Sequence, residues 1–480
     1  MKFTQWIGAG LGIVILVLSM VLPPLEPLTH LGMKTLGVFL FTVLWWISVG
    51  LGFSSFLCIA LFAITGVMTS DEALANSLGS WLPVFLIACF GLTEAISHSG
   101  FSRRFALWFV TRPFVAGRPW MLVAMLLLAC TIMGAIMSST VTTIIFMSIA
   151  VPMLEALGYK KGDDVSAMLI MGIGWAAAAS ALITPIGHGA NLMCMEWIYR
   201  DTGYFMSFPG WLAVGIPMGL MVYLMLMVIF RYVVRPDVTK ISGAATEFIR
   251  TEASKLGSVK MEEKLSLGVF FAVILAWMLP GTANSILPEV AGYLKNIGFV
   301  VPAIVGSVLL CLIQVKNKPL LTFRRWMAGT EWGSVILCAA IMAIGSVIGK
   351  PETGIPEFLA GIIRPIMGAP FIIVVFVGIL WVILQTNIMS NLVSATLVYT
   401  VMMPAVVTAG VGNAAALGYT IFAGCHYAFV LPSATTVTAI VVGSGWVPVK
   451  FMARYGIIMI IPTILLFAFV CYPFASFIYR

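Results

Sequence analysis

Apolar runs of 17 or more residues recur along this chain between short polar connections, and no other feature narrows its fold so far. Inside hydrocarbon every backbone N–H and C=O must find a partner, so each run is read as a helix in a membrane, where about 20 residues cross the apolar layer. With 9% charged and 61% hydrophobic residues among 480, a water-soluble enzyme is excluded. The eight cysteines, from Cys58 to Cys471, stand singly with no pair spaced for zinc or redox work, so they are small apolar side chains and no metal or cofactor is expected. The run from Lys2 to Met20 leads into VLPPLEPLTH, which lacks a small-residue cleavage pattern, and is kept as the first spanning helix. The net charge of +8 suits anionic headgroups and does not call for nucleic acid, because the basic residues lie in the connections between apolar runs.

Fifteen apolar windows lie between residues 5 and 477, too many for all to be crossings. The pairs 120–136 with 141–154 and 371–388 with 392–409 are individually short, and each pair is read as a re-entrant hairpin. That leaves about eleven transmembrane helices. With the N-terminus inside, twenty of the 26 basic residues fall on the inner side and six outside, as the positive-inside rule requires. The chain then divides into an N-terminal helix over 1–34, a first unit over 35–231 with its hairpin near 118–154, a linker over 232–264 and a second unit over 265–480 with its hairpin near 370–406. The linker mixes basic and acidic residues and reads as solvated, with a surface helix at its end. The run after Ser99, SRRFALWFVTRPFVAGR, suits a helix along the inner headgroup layer.

The two units repeat one pattern. AIMSSTVTTIIFMSIAVPML from Ala135 matches NIMSNLVSATLVYTVMMPAV from Asn387 at an offset of 252, so that Ser138 meets Ser390 and Pro152 meets Pro404. Trp81 meets Trp332 at an offset of 251, and ALITPIGHGANLM aligns with FVLPSATTVTAIV through Pro185 and Pro432. An odd number of crossings separates the copies, so the repeat is inverted, the architecture from which alternating-access transporters are built around helices interrupted at mid-membrane. Non-helical backbone survives there only where protein, water or a ligand satisfies it. Pro185 and Pro432 remove a donor, Gly187 and Gly189 permit unusual dihedrals, and the hydroxyls and amides of the tips can cap the hairpin arms and still point inward. Four half-helix starts, each presenting free N–H groups and about half a positive charge, suit an anion, and two clusters on opposite sides suit a carboxylate at each end. The candidate substrate residues are Ser138, Ser139, Thr140, His188, Ser390, Asn391, Thr435 and Thr438; Gly187, Asn191, His426, Pro185 and Pro432 are candidates for the breaks or for charge compensation.

Histidines within a membrane need a partner or a bound anion, which draws attention to His188 and His426. Glu94 and His98, and likewise Glu196 and Arg200, are spaced four apart on one helical face and read as pairs, while His30 falls in an outer turn. Neither rings of repeated filter residues, as in a channel, nor the motifs HExxH or GxSxG of a membrane enzyme occur in the spans.

From Trp81 to the end, these residues resemble the divalent anion:sodium symporter family, which carries di- and tricarboxylates. The family's Ser-Asn-Thr tip motif stands here as Ser138-Ser139-Thr140 and Ser390-Asn391-Leu392, and its Thr-Pro-Pro-Asn break as His188-Gly189-Ala190-Asn191 and Thr435-Thr436-Val437-Thr438. The resemblance implies an all-α homodimer of eleven crossings and two hairpins that works as an elevator, with tips and breaks holding sodium and substrate. Leu392 has no hydrogen-bonding side chain, and the departures point to the members that exchange C4 and C5 dicarboxylates (malate, succinate, fumarate, 2-oxoglutarate) without sodium, His188 and His426 supplying the compensating charge. Sodium-coupled symport is the alternative. The simplest location is a bacterial inner membrane or plasma membrane.

Overall fold

The computed structural model describes residues 3–239, 241, 243–282 and 288–480; Lys2 and Lys240, both counted on the inner side, lie outside them. The chain is almost entirely helical. It opens with α1 (Phe3–Val21), α2 (His30–Ser48), α3 (Gly52–Ile64), the short α4 (Ser70–Ala75), α5 (Trp81–Ser99) and α6 (Phe101–Val110). Next come α7 (Pro119–Gly134) and α8 (Ser139–Ala156), then α9 (Asp164–Ser180) and α10 (Gly189–Thr202) on either side of a break, and α11 (Phe208–Ile229), which runs on as a π turn to Val234. The connection carries α12 (Gly243–Ser254), followed by α13 (Met261–Thr282), α14 (Pro288–Ile297), α15 (Val300–Leu312), a two-residue ribbon, α16 (Phe323–Gly329), α17 (Trp332–Ile348) and α18 (Ile355–Met367). The order of the first half then recurs as α19 (Phe371–Thr386), α20 (Asn391–Ala409), α21 (Ala414–Gly424), α22 (Thr436–Gly443), α23 (Val449–Leu466) and α24 (Tyr472–Ile478).

Among the described residues seven helices are long and apolar enough to cross a membrane, or nine when two sharply bent pairs each count as one. These seven include α8 and α20, which the expected eleven left out as hairpin arms, and the difference arises where other apolar helices fall short: α9 and α21 end at breaks, α3 has 13 residues and the described apolar part of α1 is Gln5–Val21. Packing crosses between the copies. α10 lies beside α21, and α22 lies against α9, so the segment after each break rests on the helix before the other. Buried aromatic pairs fix that crossing: Trp175 with Phe429 at 4.9 Å, Trp197 with Tyr399 at 5.3 Å and Trp211 with Tyr419 at 4.7 Å each join one copy to the other. Each such pair contributes about 0.5–1.5 kcal/mol beyond its burial. A second group gathers on α5, which packs against α13, α15, α16 and α17, while α17 also covers α2 and α3.

The 232–264 connection is not the solvated linker expected. α12 packs on α6 and α8 and buries Ala245 and Ile249. Arg103 Nη2 donates to Glu252 at 2.8 Å, and Arg104 reaches past α12 to Glu263 Oε2 at 2.6 Å and to the carbonyls of Leu256, Gly257 and Ser258. The counterions of the basic segment after Ser99 are thus in this connection, which draws it down onto the protein. α6 keeps a membrane-surface character on its other side, where Trp108 is exposed and Arg112 stacks 4.2 Å from its ring.

Candidate functional site

Both hairpin tips and both breaks open into one cavity of about 820 Å³. Its wall includes Ser138, Ser139 and Thr140 from the first tip, Ser390, Asn391 and Leu392 from the second, Gly187, His188 and Gly189 from the first break, and Ser433, Thr435 and Thr436 from the second. The N-terminal ends of α8, α10, α20 and α22 all reach this space, the arrangement of free amides that favours an anion. Trp46, Phe90, Thr93, Glu331 and Ser334 close it from α2, α5 and the start of α17.

The tips and breaks are tied together by one hydrogen-bonded path. Thr184 Oγ1 donates to Ala135 O, joining the first break to its hairpin. Asn191 Nδ2 donates to Ala181 O at 2.7 Å and Thr184 O at 2.9 Å, which turns its Oδ1 toward His426 Nε2 at 2.8 Å in the second copy. On that side Thr386 Oγ1 bonds Cys425 O at 2.6 Å and Asn391 Oδ1 at 2.9 Å, and Asn387 binds Tyr427 O and the amides of Phe429 and Val430. Carbonyls and amides that the breaks release from helical pairing are therefore satisfied by side chains, Asn191 of α10 at the first break and Thr386 and Asn387 at the end of α19 at the second, the condition for such backbone to persist away from water. The close approach also dictates a glycine: a Cβ at Gly187 would stand 2.3 Å from Ala181 O.

Each half-helix has its N-cap three residues after its proline. His188 caps α10 by accepting the Ala190 N–H on Nδ1 at 3.1 Å, and Thr435 caps α22 in a capping box with Thr438. This corrects two expectations. His188 spends its Nδ1 lone pair on the cap, so its ring is the neutral Nε2–H tautomer and not a fixed positive charge. Thr438 is 1% exposed and off the cavity wall, its hydroxyl shared among Thr435 Oγ1, Thr435 O and Pro432 O, so it shapes the break and does not face a ligand. Asn191 is fully buried and also off the wall, and the buried Pro185 and the half-buried Pro432 are off it too, whereas His426 lines it with its ring 5.0 Å from that of His188.

The two spaced pairs form differently from expectation. Arg325 stands between Glu94 and His98, 3.1 Å from Glu94 Oε1 and 3.0 Å from His98 Nε2. Arg200 turns to Asp201 and to Gly345 O, while Glu196 accepts from Trp81 Nε1 at 3.1 Å. A residue the sequence reading passed over is Glu331: it accepts from Ser138 Oγ at 2.6 Å across 193 positions and carries the cavity's sole formal charge among the described residues. Its signal was faint, an acidic residue at the first position of an apolar window. Among the described residues no group of three or more His, Cys, Asp or Glu could hold a metal ion.

Comparison with known proteins places these features in context. The family described as "Sodium:sulfate symporter transmembrane region" matches residues 3–478. The sodium-dependent dicarboxylate transporter SdcS of Staphylococcus saprophyticus is 25% identical over 468 residues, covering 94% of this chain and 88% of that protein, and SdcS of Staphylococcus aureus strain USA300 is 24% identical over the same length. The crystal structure of the Alcanivorax borkumensis YdaH transporter shares the fold at a TM-score of 0.58 and 10% identity, covering 99% of this chain and 98% of that one.

Proposed function

The chain belongs to the sodium:sulfate symporter family, the divalent anion:sodium symporters, and is a multi-pass membrane transporter; from that premise we propose that it moves dicarboxylates across the cell membrane together with sodium ions. The expectation of sodium-independent exchange is overturned, because relatives aligned along 94% of the chain are sodium-dependent dicarboxylate transporters. One observation carries the proposal. Among the described residues no Lys or Arg lines the cavity, His188 is held neutral by its cap, and the one formal charge on the wall is negative. Four half-helix ends contribute about 0.3–1 kcal/mol each, up to about 2 in buried settings. Removing each charge of a dianion from water costs several kcal/mol. The deficit calls for co-bound cations, and the hydroxyl, amide and carbonyl oxygens of the tips and breaks are ligands suited to sodium.

In this reading Ser138, Ser139, Thr140, Ser390, Asn391 and Thr435 serve substrate and ions, with His188 and His426 positioning the breaks that present them. The hairpins α7–α8 and α19–α20 are re-entrant, eleven helices cross, and the inverted units work as an elevator within a homodimer. The two-copy packing around one cavity supports this arrangement. The test is uptake of labelled succinate by liposomes containing the purified protein, empty or preloaded with malate, with and without an inward sodium gradient and with sulfate as competitor. Uptake into empty vesicles that needs sodium and resists sulfate is expected. Uptake that needs internal malate and ignores sodium would overturn the proposal.

A further inference from the structure

Ser138 occupies the N-cap of α8, yet its hydroxyl makes no cap bond and instead donates to Glu331 Oε1 at 2.6 Å. The donor best placed to meet a substrate carboxylate is thus already meeting a carboxylate of the chain. The contact also joins two groups of helices, since α8 packs on α9 while Glu331 heads α17, which packs on α2, α3 and α5.

We propose that Glu331 is a built-in competitor for the substrate: it holds Ser138 while the cavity is empty and is displaced when a dicarboxylate arrives, so that binding also frees the α7–α8 hairpin from α17. The proposal rests on dicarboxylate as cargo. Two carboxylates cannot share one hydroxyl proton, and like charges at that separation repel in a cavity where, among the described residues, no lysine or arginine stands on the wall. Displacement is therefore required of any substrate that uses this tip. A hydrogen bond to a charged partner is also stronger than one between neutral groups, so the link weighs on the equilibrium of the empty protein.

The repeat shows what the opposite end of the transport cycle lacks. At the offset of 251 that pairs Trp81 with Trp332, Glu331 corresponds to Ser80, and at the hairpin offset of 252 Ser390 corresponds to Ser138. Ser80 is the N-cap of α5 and Ser390 that of α20, and neither makes a side-chain cap bond. If the units exchange roles as access alternates, Ser390 approaches Ser80, a hydroxyl in place of a carboxylate. The empty carrier accordingly rests in the conformation seen here.

Two measurements on the full-length protein test this. In the first, equilibrium binding of labelled succinate in saturating sodium is compared for the unaltered protein, Glu331→Gln and Glu331→Ala. Affinity is expected to rise in that order, by at least about tenfold for Ala, because the substrate then no longer has to break a hydrogen bond to a charged group. Unchanged or weaker binding overturns the proposal, and weaker binding with a raised sodium requirement would make Glu331 an ion ligand instead. In the second, Ser433, exposed on the cavity wall, is replaced by Cys, and its alkylation from each side is followed without substrate by site-resolved mass spectrometry. Glu331, Gly333 and Ser334 on the wall lie at the end of α17 that follows the Lys316–Arg325 segment, which sets the cavity toward that side; Glu331→Ala is expected to slow labelling from there several-fold, and an equal rate overturns the proposal. Should the unaltered protein bind no dicarboxylate in sodium, the assigned cargo fails and the labelling alone decides the role of Glu331.

Discussion

Thr435 and Thr438 differ in what their hydroxyls can reach, although the sequence offers them as equals. Thr435 stands on the cavity wall, whereas Thr438 is turned back on the break. Thr438→Val keeps the volume and removes the shared hydroxyl, so it is expected to destabilise the protein by about 1 kcal/mol, the usual worth of a helix cap, and to leave the half-saturating succinate concentration unchanged. Thermal unfolding in detergent read beside transport kinetics checks both halves, and a raised half-saturation at unaltered stability would return Thr438 to the binding surface. The tip serines were legible because serine and proline recur at one offset, a pattern that local sequence carries. The partners of His188 and Glu331 were not: one binds an amide two residues away through a ring nitrogen, the other a hydroxyl 193 positions off, and neither choice leaves a trace in composition or spacing.

At the level of elements, hydropathy located α7, α8, α19 and α20 and the two breaks, because prolines and glycines interrupt otherwise apolar windows. It misjudged the 232–264 connection. Charged residues of both signs look the same in a sequence whether they face water or one another, and only the tertiary contact shows that Arg104 is spent on Glu263. The Glu263 side chain is 2% exposed and that of Arg104 20%, so this pair is more sheltered than Arg103 with Glu252. Removing one partner of a buried pair strands the other, at about 3 kcal/mol. Arg104→Ala is therefore expected to lower the melting temperature and expose the α12 segment to protease, while Arg103→Ala, whose side chain is 43% exposed, changes either little. Equal effects of the two substitutions would show that burial does not set the strength of this attachment.

For the molecule as a whole, orientation follows from charge and from the repeat by separate routes, and the two can be set against each other. Counting basic residues places the start of the first hairpin, at Arg118, on the inner side with the cluster Lys316–Arg325. In the proposed arrangement of eleven crossings an odd number of them intervenes, which sets the equivalent start of the second hairpin, before Phe371, on the opposite side. Packing is compatible with that arrangement: α10 lies beside α21 and α22 against α9, so the two breaks meet at one cavity. Arg118 and Gly368 are both exposed, and a side chain at Gly368 meets no atom within 4 Å, so cysteine is tolerated at each. Arg118→Cys and Gly368→Cys are expected to react with a membrane-impermeant maleimide from opposite sides of sealed vesicles. Reaction of both from the same side would remove the inversion, and with it the reason that four half-helix ends with two different histories in the chain converge on a single cavity.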